Sequence, residues 1–191
     1  MRHPGTAPAA MADDVDITTE RLLLRRWRDA DLEPAARMCA DPEVMRHFVA
    51  PLTTEQTEGM IGRLEAHFEQ HGFGVWALER GDDGAFLGFT GLPTIAYEAH
   101  FTPAVEIGWR LAREAWGHGY ATEAARACVH HAFDVLQLDE LVSVTVPANV
   151  RSRAVMERIG MVRDTDGDFD HPLVPEGHPI RPHVLYRLRR G

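Results

Sequence analysis

VEIGWRLAREAWGHGYATEAA, residues 105–125, runs from an apolar strand through a glycine-punctuated turn into a helix. The turn is Trp116-Gly117-His118-Gly119-Tyr120-Ala121. Two glycines let a backbone turn tightly and approach a ligand closely. The helix that follows presents unpaired N–H groups and the positive end of its dipole, so the turn is suited to an anion such as a pyrophosphate. A tight turn that merely starts a helix is the plain alternative. No Lys-Ser/Thr follows the glycines, so this is not a nucleotide-triphosphate loop, and the third glycine of a dinucleotide fingerprint is missing.

Outward from this turn, the helix is the clearest in the chain. Ala121, Ala124, Ala125, Cys128, Val129, Ala132, Phe133 and Leu136 recur at helical spacing for four turns. A strand at 141–147 follows, then a short helix at 150–159 ended by Gly160. A polar, proline-rich loop spans 166–182, and a last strand spans 183–190. On the N-terminal side, 17–27 reads as a strand. A helix at 31–40 has Asp29 or Asp31 as its cap and Pro34 in its first turn. A second helix at 54–71 opens with the Thr53/Gln56 capping box and stops at Gly72. Two strands, 74–80 and 85–95, flank the turn at 82–84, and 105–112 is the next strand. This order predicts an α/β (α+β) fold with a mixed central sheet of about six to seven strands and helices on both faces.

A chain of 191 residues fits one domain, taken as 17–191 after a disordered tail at 1–16. With 45% hydrophobic residues it can bury a core unaided by metals or disulfides. Its two cysteines, Cys39 and Cys128, form no framework, which predicts a reducing, cytoplasmic setting. No apolar run is long enough for a membrane span. The net charge of −9 argues against broad nucleic-acid binding. Eleven histidines raise the question of a metal. His171, His178 and His183, near Asp168 and Asp170, lack ligand spacing, and adjacent His130 and His131 cannot converge, so no metal is expected.

The run 105–125 resembles the central motif of the GNAT acetyltransferases, Arg/Gln-x-x-Gly-x-Gly/Ala. Trp116 stands in the first place, followed by Gly119 and Ala121. Tryptophan there is typical of the branch similar to the RimJ/RimL ribosomal-protein N-terminal acetyltransferases. Asn149 and Ser152, then Gly160-Met161, stand where the family has Asn-x-x-Ser/Ala and Gly-Phe, and 17–27 is of the Thr-Glu-Arg-Leu-x-Leu-Arg type. The resemblance covers nearly all of 17–191. It implies acetyl-coenzyme A as co-substrate, with its pyrophosphate held by N–H groups of residues 117–122 (Gly117, His118, Gly119, Tyr120, Ala121 and Thr122) in the loop opened by Trp116. It implies that Asn149 bonds the pantetheine arm; the plain alternative is that Asn149 caps the helix.

Acetyl transfer to an amine needs a base, a donor to the oxyanion and help for the departing thiolate. Glu106 is the candidate base, directly or through water; alternatively it faces solvent or binds the ammonium. A backbone N–H of Ile107 or Trp109 is the candidate oxyanion donor. The tyrosine that many members carry seven residues after the asparagine is Met156 here. The resemblance to the RimJ/RimL branch implies that Ser152 instead bonds the leaving sulfur. Tyr120 and Tyr186 are fallbacks, although Tyr186, on the last strand, reads more readily as a core aromatic. Asp168, Asp170 and His171 are expected in a substrate-side loop, acidic enough to attract a cationic amine, with Tyr186 beside it and the first two helices as the other wall; the plain alternative is a floppy surface loop whose charges are solvated. The acceptor is a small-molecule amine or a protein N-terminus, and the protein is expected as a monomer or homodimer. A non-catalytic acyl-CoA-binding sensor or scaffold is the alternative; Glu106 disfavours it.

Overall fold

The computed structural model describes residues 16–191. The tail expected at 1–16 therefore lies, but for Asp16, outside the described residues. Eight strands form two antiparallel sheets. In the first, β1 (Ile17–Thr18), β2 (Leu22–Arg25), β3 (Val75–Arg80), β4 (Phe86–Gly91) and β5 (Gly108–Leu111) lie in sequence order. In the second, β8 (Pro182–Arg189) lies between β6 (Glu140–Thr145) and β7 (Val162–Asp170). The sheets meet at one parallel bridge, Glu106 with Val142. The mixed character expected of the sheet resides in that bridge.

Both faces of the first sheet are covered. On one side α3 (Tyr120–His130) packs Ala124, Ala125 and Cys128 against Leu22, Leu24, Trp76 and Leu78. On the other, α1 (Leu32–Ala40) and α2 (Thr54–His71) bring Ala35, Ile61 and Leu64 against Trp27, Ala77, Phe86 and Phe89. Double coverage explains why Val75-Trp76-Ala77-Leu78 is continuously apolar rather than alternating. A fourth helix, α4 (Val150–Arg158), follows β6.

Several expectations hold. Thr53 and Gln56 close the capping box of α2, and Gly72 ends it in the left-handed conformation. Others change. The strand expected over 17–27 breaks between β1 and β2, because Thr19 and Arg21 turn to Glu123 of α3: the Thr19 hydroxyl donates to its carboxylate at 2.6 Å and the Arg21 guanidinium at 2.7 Å. Neither Asp29 nor Asp31 caps α1 with its side chain. Asp31 is buried and instead receives Arg25 through two hydrogen bonds of 2.7 and 2.8 Å, and the Arg28 N–H at 2.8 Å. The long helix stops being α at His130 and finishes as a π turn over His131–Val135, where the His131 ring meets Trp76 edge-on.

The main correction concerns the C-terminal region. The segment 162–170 is a strand, so residues 166–170 of the loop expected over 166–182 belong to it. VRDTDGDFD is polar because β7 is an edge strand with much of its surface in solvent. Its register slips between Asp164 and Phe169, at buried Gly167, where a Cβ would come within 2.7 Å of Leu185. The loop proper is thus 171–181.

Candidate active site

The cleft follows from the way the sheets meet. Ile107 donates its N–H to Val142 at 2.8 Å, and Val142 donates its own to Val105 at 3.0 Å. Past this point β5 pairs only with β4. Ala112 donates to Leu87 at 2.9 Å across that ladder. Alternation then places Arg110 and Gly108 in the hydrogen-bonded pairs with β4 and turns the Trp109 N–H away from it, toward the gap beside β6. Of the two backbone donors expected for an oxyanion, Ile107 is consumed by Val142 and Trp109 is the one that faces the cleft.

The cleft holds about 470 Å³. Glu106, Gly108 and Arg110, the alternate residues of one strand face, line one side. Ile107 and Leu111 point the other way, into the core. Ser143, Thr145, Asn149 and Ser152 line the side of β6 and α4. The remaining walls are the turn after α1 (His47, Phe48, Val49), α2 (Met60, Leu64), the loop after β7 (His171, Leu173, Val174, Ile180) and His183 at the start of β8. Of the expected walls, α2 and the C-terminal loop border the cleft, whereas α1 does not and the turn after it does.

Glu106 presents part of its surface to this space, while protein packs around its carboxyl. Burial pushes that carboxyl up to about 7, and a hydrogen bond from the Val144 N–H offsets only part of the effect. A carboxylate poised there can accept a proton near neutral pH. Burial, and then neighbouring His183, push His171 down to about 4, and burial lowers His183 as well. Their rings lie 4.8 Å apart, and burial holds both toward the neutral form.

The acidic mouth is not present. Asp168 pairs with Arg163 at 2.5 Å and Asp170 with Arg181 at 3.4 Å, and neither lines the cleft, where Glu106 is the sole carboxylate among the described residues. Placing these aspartates on a strand turned them toward arginine neighbours. Tyr186 does not line the cleft: it is the core aromatic of its alternative reading, 1% exposed, and its hydroxyl donates to Glu157 at 3.1 Å and accepts from Arg153 at 3.1 Å. His171 alone of the expected substrate-side residues faces the cleft.

Asn149 caps α4. Its side-chain oxygen accepts the Ser152 N–H at 3.2 Å, and its amide donates to Thr145 at 3.0 Å. The Ser152 hydroxyl has no protein partner among the described residues.

The turn before α3 is open. Gly117 and Gly119 both adopt φ of 82°, which glycine alone tolerates cheaply, and a Cβ on Gly117 would meet nothing within 4 Å. The first helical bond runs from Glu123 to Gly119, so the N–H groups of Tyr120, Ala121 and Thr122 have no partner in the helix. The cradle thus fits an anionic group. Two cations flank it. Arg21 donates to the His118 carbonyl at 3.0 Å, and the Arg151 guanidinium lies 4.6 Å over the Trp116 ring. Sequence reasoning missed both, and it missed Arg110. Arg21 and Arg151 are far from the glycines along the chain, but Arg110 was readable from its even spacing to Glu106. Among the described residues no group of histidine, cysteine or acidic side chains could hold a metal ion, and no helix is long and apolar enough to cross a membrane.

Comparison with known proteins agrees with this geometry. YkkB of Bacillus subtilis, itself uncharacterized, is 32% identical over 146 residues, 76% of this chain and 84% of that one. The FsC-acetyl coenzyme A-N(2)-transacetylase of Aspergillus fumigatus is 35% identical over 152 residues, 76% of this chain and 64% of that one. The crystal structure of an acetyltransferase from Agrobacterium tumefaciens superposes with a TM-score of 0.73 and 30% identity over 100% of both chains. The family model for the acetyltransferase (GNAT) domain matches residues 21–162, a span that takes in the splayed strands, the open turn and Asn149 with Ser152. The chain belongs to the GNAT acetyltransferase family.

Proposed function

We propose that the protein moves the acetyl group of acetyl-coenzyme A onto a primary amine by direct attack within a ternary complex, as a RimJ/RimL-type member of its family. The observation that carries this reading is Glu106: one carboxylate, raised to about 7, on the wall of a cleft that opens where two strands part. Acetyl-coenzyme A supplies the activated acyl group. Its pyrophosphate suits the N–H groups at the start of α3, with Arg21 and Arg151 adding positive charge.

The roles of the chain's own residues follow. Glu106 takes the ammonium proton, directly or through one water, and frees the nitrogen lone pair for the carbonyl carbon. The Trp109 N–H donates to the carbonyl oxygen as negative charge grows there. Ser152 donates a hydrogen bond to the sulfur as it leaves; a serine is too weak an acid to do more at neutral pH. Asn149 serves this arrangement through α4: by capping the helix it fixes where Ser152 sits. The apolar walls from Phe48 to Val174 keep water from the thioester.

The test is turnover. Purified protein with acetyl-coenzyme A and a panel of amines and peptide N-termini should release free thiol in step with an acetylated amine. Binding of coenzyme A without transfer to any amine would favour the sensor reading instead.

A further inference from the structure

Arg110 carries a charge that no described residue neutralises. Among the described residues no carboxylate lies within 4.0 Å of it. Its guanidinium touches two sulfurs, Cys39 Sγ at 3.4 Å and Met60 Sδ at 3.9 Å, and lies over the rings of Phe48 and Phe89 at 4.1 and 5.1 Å. Its Nε is buried without a hydrogen-bond partner. Arg25, which is buried, has Asp31 and Glu79, and Arg163, whose Nε is also buried without a partner, has Asp168. Arginine cannot shed its proton to escape such a site, and sulfur and aromatic faces are poor substitutes for the oxygens of a carboxylate.

Arg110 is also placed to meet a ligand. It shares a strand face with Glu106, four residues away, and both line the cleft. At roughly 3.3 Å per residue their Cα atoms are about 13 Å apart. Between them stands Gly108, where a Cβ would meet nothing within 4 Å. With His171 and His183 held toward the neutral form, Glu106 and Arg110 are the two formal charges along this wall. One end suits an ammonium group, the other an anion, and the bare glycine leaves room for what joins them.

We infer that the acceptor is an amino carboxylate: its amine lies at Glu106 and its carboxylate, several bonds away, is bound by Arg110. This rests on the acceptor reading above for the amine end, while the carboxylate end stands on Arg110 alone.

Three amines of similar length test it: ε-aminocaproate, which ends in a carboxylate, hexylamine, which ends in methyl, and hexamethylenediamine, which ends in a second cation. Equilibrium binding of each is measured by calorimetry on the full chain saturated with coenzyme A, and turnover is measured with acetyl-coenzyme A. The parent should bind ε-aminocaproate at least about tenfold more tightly than hexamethylenediamine, the worth of one charge-assisted hydrogen bond. Arg110→Met, which keeps the packing between Phe48 and Phe89, should erase that preference, and Arg110→Lys should restore part of it. Arg37→Met, which removes an exposed charge on α1 paired with Glu33, should leave the preference intact. Equal binding of the three amines by the parent, a preference for the diamine, or an Arg110→Met variant with undiminished preference would each overturn the inference. Turnover separates the two readings. Tight binding of ε-aminocaproate without transfer would sink the transferase reading and leave the carboxylate site standing. Transfer to all three at equal efficiency would do the reverse.

Discussion

Glu106 and Val142 are parallel neighbours at the one bridge between the two sheets, and the strands that carry them part on the side of Gly108. The bridge holds Glu106 where its carboxyl is packed by protein yet still borders the cleft. Its raised value near 7 has a consequence for stability. The unfolded chain would hold this proton with a value of 4.5, so the fold binds the proton more tightly than the unfolded chain does. The stability from that proton is fully present below 4.5 and is lost as pH rises through about 7. Glu106→Gln, neutral throughout, should therefore melt higher than the parent at about pH 8, with the gap shrinking toward about pH 5. Thermal melts of both proteins across that range check it; a gap that does not change with pH would place the carboxyl in an environment no different from water.

Coenzyme A should raise the melting temperature. At about 100 times its dissociation constant the stabilisation is roughly 2.7 kcal/mol, or about 5–10 °C for a domain of this size. Gly119→Glu puts a side chain and a negative charge at the start of α3, and should abolish the shift relative to that variant's own melting temperature without ligand. A shift that survives would mean the anion sits elsewhere.

Ser152 and Tyr186 should separate cleanly. Ser152→Ala should slow turnover by about tenfold, the worth of one hydrogen bond to the departing sulfur, with the melting temperature nearly unchanged. Tyr186→Phe removes a hydroxyl tied to Arg153 and Glu157. It should cost about 1 kcal/mol of stability, roughly 2–4 °C, while leaving turnover near that of the parent. A larger turnover loss in the tyrosine variant would reverse the two roles.

Much of the fold was legible because its signals are local. The capping box at Thr53, the stop at Gly72 and the alanine stripe of α3 all act within a few residues. The same holds for the two glycines before α3. What was not legible depends on partners distant in the chain. Nothing near Thr19 announces that Glu123 will break the first strand, and nothing near Asp31 announces Arg25. Residues 166–170 read as the start of a polar loop because an edge strand needs few apolar residues, and that reading suggested an acidic mouth which ion pairs to Arg163 and Arg181 remove. Glu106, singled out by its place between Val105 and Ile107 as well as by the resemblance, and Ser152, singled out by the resemblance, both line the cleft, and Arg110 was passed over although strand alternation from Glu106 points to it.

The most direct test of the account is the pH dependence of kcat for acetyl transfer, measured at saturating acetyl-coenzyme A and amine, in the parent and in Glu106→Gln. The parent should lose activity on acidification along a limb with a midpoint near 7, because the protonated carboxyl cannot accept the amine's proton. The variant should be slower throughout, by about a hundredfold or more at neutral pH, and should lack that limb. Superimposable profiles for the two proteins from about pH 6 to about pH 9 would contradict the assignment of Glu106 as the base.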